Sequence, residues 1–122
     1  MKEIKAYIHN HRIADVIRAV KESGLCNTDG TPGCRNLAVI PVQSLLKAVD
    51  AREQHYSIEL AETTINESKL ELICEDDQVE ELVGIIGHVA RTGQAEAGWI
   101  YVTDIVMAIP VGVRMNKEGG SK

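Results

Sequence analysis

The sequence predicts an α+β domain built from two copies of a strand–helix–strand unit that share one antiparallel sheet. A chain of 122 residues is about one domain's worth and can bury a single core. Its apolar residues alternate in some stretches and follow a helical stripe in others. Both patterns recur in the same order, and this repetition is the most informative of the three observations.

The elements follow in turn. Ile4, Ala6 and Ile8 alternate, as in a strand with one buried face. Ile13, Val16, Ile17 and Val20 then trace the i, i+3, i+4, i+7 stripe of an amphipathic helix. After a break, Asn36 to Val42 (NLAVIPV) reads as a second strand. Leu70, Leu72 and Cys74 alternate again, and Val79, Leu82, Val83 and Ile86 repeat the helical stripe. The offset is 66 at all seven positions, which marks a duplicated unit. Trp99 to Val106 (WIYVTDIV) closes the series as a strand. The order is βαβ twice, the ferredoxin-like βαββαβ arrangement with an antiparallel sheet. Asp77 with Glu80 reads as a capping box at the start of the second helix.

Two helices on one face of such a sheet leave the other face bare. Apolar residues at Ile100, Val102, Ile105 and Val106 predict that self-association buries that face. Between the halves an extended loop is expected over about 44–68, with a short strand from Tyr56 to Leu60. The domain then spans 1–115, and the Gly-rich polar residues 116–122 form a flexible tail. Near the end of the second helix, Thr92 and Gly93 open a polar turn that runs through Gly98 to the only tryptophan. Glycines there fit either helix termination or close approach of a ligand to the backbone.

A net charge of -5 argues against a nucleic-acid or anionic-membrane surface. No apolar run approaches the roughly 20 residues of a membrane helix, and the first residues lack a signal-peptide core, so a cytoplasmic location is expected. With no phenylalanine, the core must be aliphatic. Cys74 falls in an apolar strand and reads as a core residue. Cys26 and Cys34 bracket the turn-rich NTDGTPG; they are either a redox or metal-capturing pair or two ordinary loop thiols. His9 and His11, two apart at a strand end, could supply half of a metal site if both project the same way, or stand as isolated surface histidines. No nucleophile–base pair and no phosphate-loop lysine is visible, so an enzyme is not expected.

The chain resembles the PII signal-transduction family over nearly its whole length. The opening MKEIKAYIHNHRIADVIRAVKESGL is similar to that family's first strand and helix. KLELICEDDQVEELVGIIGHVARTG is similar to its third strand, acidic turn and Thr-Gly helix end, and GWIYVTDI to its last strand. The resemblance implies a homotrimer that binds ATP or ADP in clefts between subunits. It also implies a long loop that docks on a membrane transporter or metabolic enzyme of nitrogen metabolism.

By the same resemblance the cleft would use Thr92, Gly93, Gln94, Glu96, Gly98 and Trp99 from the turn, with Glu71 and Ile73 from the facing strand. The family's turn carries an inner glycine and a phosphate-binding lysine; here Glu96 and Trp99 stand in those places. Its two phosphate-binding arginines align with Pro110 and Gly112. ATP is therefore expected to bind weakly, with an adenine nucleotide or a small anion as the remaining ligand classes. The docking loop would present Lys47, Asp50, Arg52, Glu53 and His55, without the family's modified tyrosine, since Ala51 precedes Arg52. A metal-tolerance trimer of the same fold, using His9, His11 or the Cys26/Cys34 loop, is the alternative.

Overall fold

The computed structural model describes residues 1–26, 34–45, 52, 54–94 and 98–112. Five strands and two helices follow in the order β1 (Lys2–His9), α1 (Asn10–Glu22), β2 (Arg35–Ser44), β3 (Gln54–Ser57), β4 (Glu62–Cys74), α2 (Val79–Val89) and β5 (Ile100–Asp104). A short 3-10 turn at Asp76–Gln78 leads into α2. The sheet order is β2-β4-β1-β5, with every pair antiparallel and β3 added beside β4. This is the α+β, antiparallel arrangement that the duplicated pattern predicts.

The repeat positions form the core. Ile4, Ala6, Ile8, Leu70, Leu72 and Cys74 are buried on one sheet face, under Val16 and Val20 of α1 and Leu82 and Ile86 of α2. Partners directly opposite across an antiparallel pair share a face. Ile100 pairs with Ala6 and Val102 with Ile4, so both belong to the helix-covered side. The other face is therefore not the aliphatic surface expected from Ile100, Val102, Ile105 and Val106. It carries Glu3, Lys5, Tyr7, Lys69, Glu71, Ile73, Tyr101 and Thr103 in register, with the apolar Ala38, Ile40 and Val42 of β2 beside them. Lys69 Nζ lies 3.0 Å from Glu71 Oε2, and the Tyr7 and Tyr101 rings meet edge to face with centroids 6.1 Å apart.

Several boundaries differ from expectation. The helix cap is a box formed by Glu75 and Gln78, ahead of the Asp77 and Glu80 pair. The short strand is Gln54–Ser57, and residues 58–61 form the turn back to β4. β4 begins at Glu62, so half of the expected loop over 44–68 is sheet. Ile65 pairs with Ser44 of β2 and with Gln54 of β3, which must therefore flank it on opposite edges. Thr64 with Ile65 and Glu67 with Ser68 are buried as adjacent pairs, so the stretch lacks strict alternation and reads as a loop. Residues 46–51 and 53, and the tail expected over 116–122, lie outside the described residues.

Candidate functional site

The open sheet face collects several of the residues singled out above. Tyr7 N donates to the Trp99 carbonyl at 3.1 Å, so the β1–β5 pairing continues past the end of β5 to Trp99. Trp99 then shares the parity of Tyr101 and Thr103 and faces the open side. Glu71 pairs with Lys5, and Ile73 with Glu3. Along β1 the Trp99 row and the Ile73 row are separated by the distance from Tyr7 to Glu3, about 13 Å at the usual strand rise.

Each end of this face has its own cavity. The first, about 180 Å³, is lined by Tyr7 and His9 of β1, Ile86 and Gly87 of α2, and Ala90, Arg91, Gln94, Gly98 and Trp99 beyond it. The turn is shaped locally: Thr92 Oγ1 accepts from Gln94 N at 3.3 Å, and Gly93 adopts φ 88. Gly98 leaves no room for a side chain, because a Cβ would collide with the Tyr7 carbonyl oxygen. Both glycines thus serve the fold, one in a left-handed turn and the other where β1 passes. Arg12 fixes the end of α2, with Nε and Nη2 donating to the Val89 carbonyl at 2.9 and 2.5 Å. A cation at the exposed carbonyls of a helix end is favourable. Arg91 on the wall of this cavity is a cation that the motif comparison passes over, since it precedes the Thr-Gly pair.

The second cavity, about 550 Å³, is lined by Met1, Arg35, Asn36, Ile73, Ala108, Ile109, Pro110 and Val111. It therefore holds Ile73 together with Pro110, one of the two positions that align with the family's phosphate-binding arginines. Its walls are mainly apolar. Arg35 Nη1 stands 3.5 Å from Glu75 Oε1, and the N-terminal amine donates to Asp76 Oδ1 at 2.6 Å. That hydrogen bond raises the pKa of the amine and lowers that of Asp76. Of the expected cleft residues, Gln94, Gly98 and Trp99 meet at the first cavity and Ile73 lines the second. Thr92 and Gly93 shape the turn, and Glu71 pairs with Lys69 between the two. Glu96 lies outside the described residues.

The histidines do not share a strand face. Asn10 begins α1, so His9 ends β1 while His11 stands exposed in the first helical turn, with ring centroids 5.8 Å apart. His9 Nδ1 lies 2.8 Å from Glu67 Oε1, both side chains almost fully buried. Buried polar partners of this kind hold each other in place. The pair has no sequence signal, because its members lie in different halves of the chain. Cys26 and Cys34 are joined as a disulfide with Cα atoms 4.6 Å apart, so their sulfurs are not thiolate ligands. Among the described residues no group of three or more His, Cys, Asp or Glu could hold a metal ion. In the docking segment, Arg52 and His55 are exposed, while Lys47, Asp50 and Glu53 lie outside the described residues.

No family model matches the chain. Curated proteins do. It is 25% identical over 111 residues to a nitrogen regulatory protein P-II of Porphyra purpurea, covering 91% of each chain. It is 26% identical over 111 residues to the P-II protein of Pyropia yezoensis, again 91% of each. Nitrogen regulatory protein P-II 1 of Methanothermobacter thermautotrophicus is 23% identical over 91% of this chain and 89% of its own. With the repeat, the sheet order and the Thr-Gly turn, these matches make the chain similar to the nitrogen regulatory P-II proteins over about nine-tenths of its length, as a divergent relative.

Proposed function

We propose that this chain is a cytoplasmic regulatory subunit, not an enzyme, that works as a homotrimer. Its clefts, formed between copies, sense a small ligand, and a target transporter or enzyme reads the outcome. The observation that carries this reading is the division of the expected cleft residues. Trp99 and Gln94 line one cavity, which reaches under the end of α2 to Ile86 and Gly87, and Ile73 lines another, near opposite ends of the open sheet face. In an assembly that stacks open faces, the Trp99 end of one copy can meet the Ile73 end of the next. The relatives' names supply the regulatory class, with nitrogen status as the signal they point to.

The ligand reading follows from charge. A triphosphate is held by several charge-assisted hydrogen bonds, each contributing about 1.5–3 kcal/mol. Where the family has a lysine and two arginines, this chain has Trp99, Pro110 and Gly112, with Arg91 as one cation nearby. An adenine ring against Trp99, or a small anion beside Arg91, fits better than ATP. Target contact would fall on the exposed stretch around Arg52, His55 and Tyr56.

Titration calorimetry with ATP, ADP, AMP, bicarbonate and divalent metals tests the site. ATP is expected to bind no tighter than high micromolar, and Glu96→Gly with Trp99→Lys to tighten it. Low-micromolar ATP binding by the unmodified protein would contradict the ligand reading.

A further inference from the structure

We infer that the Cys26–Cys34 bond is a reversible redox site, open to reduction by a dithiol, whose state sets the wall of the cavity beside Ile73. The bond joins the end of α1 to the start of β2. Alongside it Cys34 N donates to the Leu25 carbonyl at 2.8 Å. Directly after Cys34 the strand is irregular. The β2–β4 register shifts between Arg35 and Ala38, and Asn36 sits at φ 58. A side-chain-bearing residue stays in that left-handed region only where its surroundings hold it. The disulfide two positions earlier is the nearest covalent restraint.

Arg35 and Asn36 are also cavity walls, facing Ile73 and Pro110. A change at Cys34 therefore has one or two residues to cross before it reaches the cavity. The third cysteine does not compete. Cys74 is buried in the core, and burial raises its thiol pKa, which disfavours the reactive thiolate. In the cytoplasm proposed above, disulfides are mostly transient, catalytic or redox-sensing. The compartment is the one element taken from that reading.

Reduction is a two-electron exchange. A dithiol sulfur attacks one sulfur of the pair, and the other leaves as a thiolate and takes up a proton. The reductant's second thiol then displaces the mixed disulfide, which leaves two protein thiols and one oxidised reductant. Because both cysteines are buried, with Cys26 2% and Cys34 3% exposed, the exchange needs local opening around the two sulfurs.

Purified protein equilibrated in buffers of graded dithiol to disulfide ratio tests this, independently of compartment and of any effector. Alkylation after unfolding should count one thiol in the oxidised form and all three in the reduced form, reversibly. Amide NMR signals of Arg35, Asn36 and Ile73 should move with that transition while those of Trp99 and Ile100 stay. Hydrogen exchange at Arg35 and Asn36 should speed up by about tenfold or more once the loop constraint is gone. Cys26→Ser with Cys34→Ser should show the reduced spectrum at every ratio, and Cys74→Ser should switch like the unmodified chain. A bond that stays oxidised at reducing ratios, a transition that leaves Arg35, Asn36 and Ile73 unmoved, or global unfolding on reduction would each overturn the proposal.

Discussion

At the Trp99 end of the open sheet face, the walls are closed by backbone. Gly98 passes against the Tyr7 carbonyl, Tyr7 N bonds the Trp99 carbonyl, and Arg12 holds the Val89 carbonyl. At the Ile73 end the walls of the larger cavity are held by side chains and the N-terminus: Arg35 to Glu75 and the N-terminal amine to Asp76, with the Cys26–Cys34 bond next to Arg35 in the chain. Backbone closure in a sheet leaves one geometry. Clasps made of exposed ion pairs and a disulfide respond to pH, salt and redox state. The first end is suited to holding a fixed ligand shape, and the second to being adjusted.

That contrast can be broken at either end. Gly98→Ala should have the largest effect. Its Cβ has no space against the Tyr7 backbone, so the strand must shift, at a cost of about 3 kcal/mol. Urea unfolding measures it, and a loss under about 1 kcal/mol would mean that the turn gives way easily. Cys26→Ser with Cys34→Ser should follow, losing about 2–3 kcal/mol relative to the oxidised chain, as expected for a cross-link closing a short loop. No loss under non-reducing conditions would remove the cross-link from the account of that end.

The smallest effect is electrostatic. Asp76 is held below the usual carboxylate range chiefly by the hydrogen bond from the N-terminal amine. Its contribution is present at neutral pH and lost as pH falls through the lowered value. The amine is raised by the same bond, so its contribution is intact below its unfolded pKa and lost as pH rises through the raised value. Thermal melts across pH should show a shallow plateau between those limits, and Asp76→Asn should flatten both shoulders. Identical pH profiles for the two proteins would show that this clasp contributes nothing.

Much of the fold was legible because its core is periodic. The seven positions at offset 66 are those that line the space between sheet and helices, so the duplication could be read residue by residue. The N-terminal half of β4 was not legible. Thr64, Ile65, Glu67 and Ser68 are buried as adjacent pairs, three of the four are polar, and no apolar alternation marks them as a strand. The mixed make-up of the open face could not be read either, since register decides which side Ile100 and Val102 take. At the site, Thr92, Gly93 and Gly98 were visible as turn residues, but the reason for Gly98 lies in Tyr7, on another strand. Arg91 precedes the Thr-Gly pair, and only the fold brings it to the cavity wall. The His9 and Glu67 pairing depends on a contact between β1 and β4 that no local pattern encodes.

The central claim is that the ligand cleft forms only where the Trp99 end of one copy meets the Ile73 end of another. Sedimentation equilibrium at micromolar concentration tests it most directly. A single species at three times the 13.4 kDa chain mass is the predicted result. A stable monomer would contradict it, because Trp99 and Ile73 would then remain in separate cavities about 13 Å apart along the sheet.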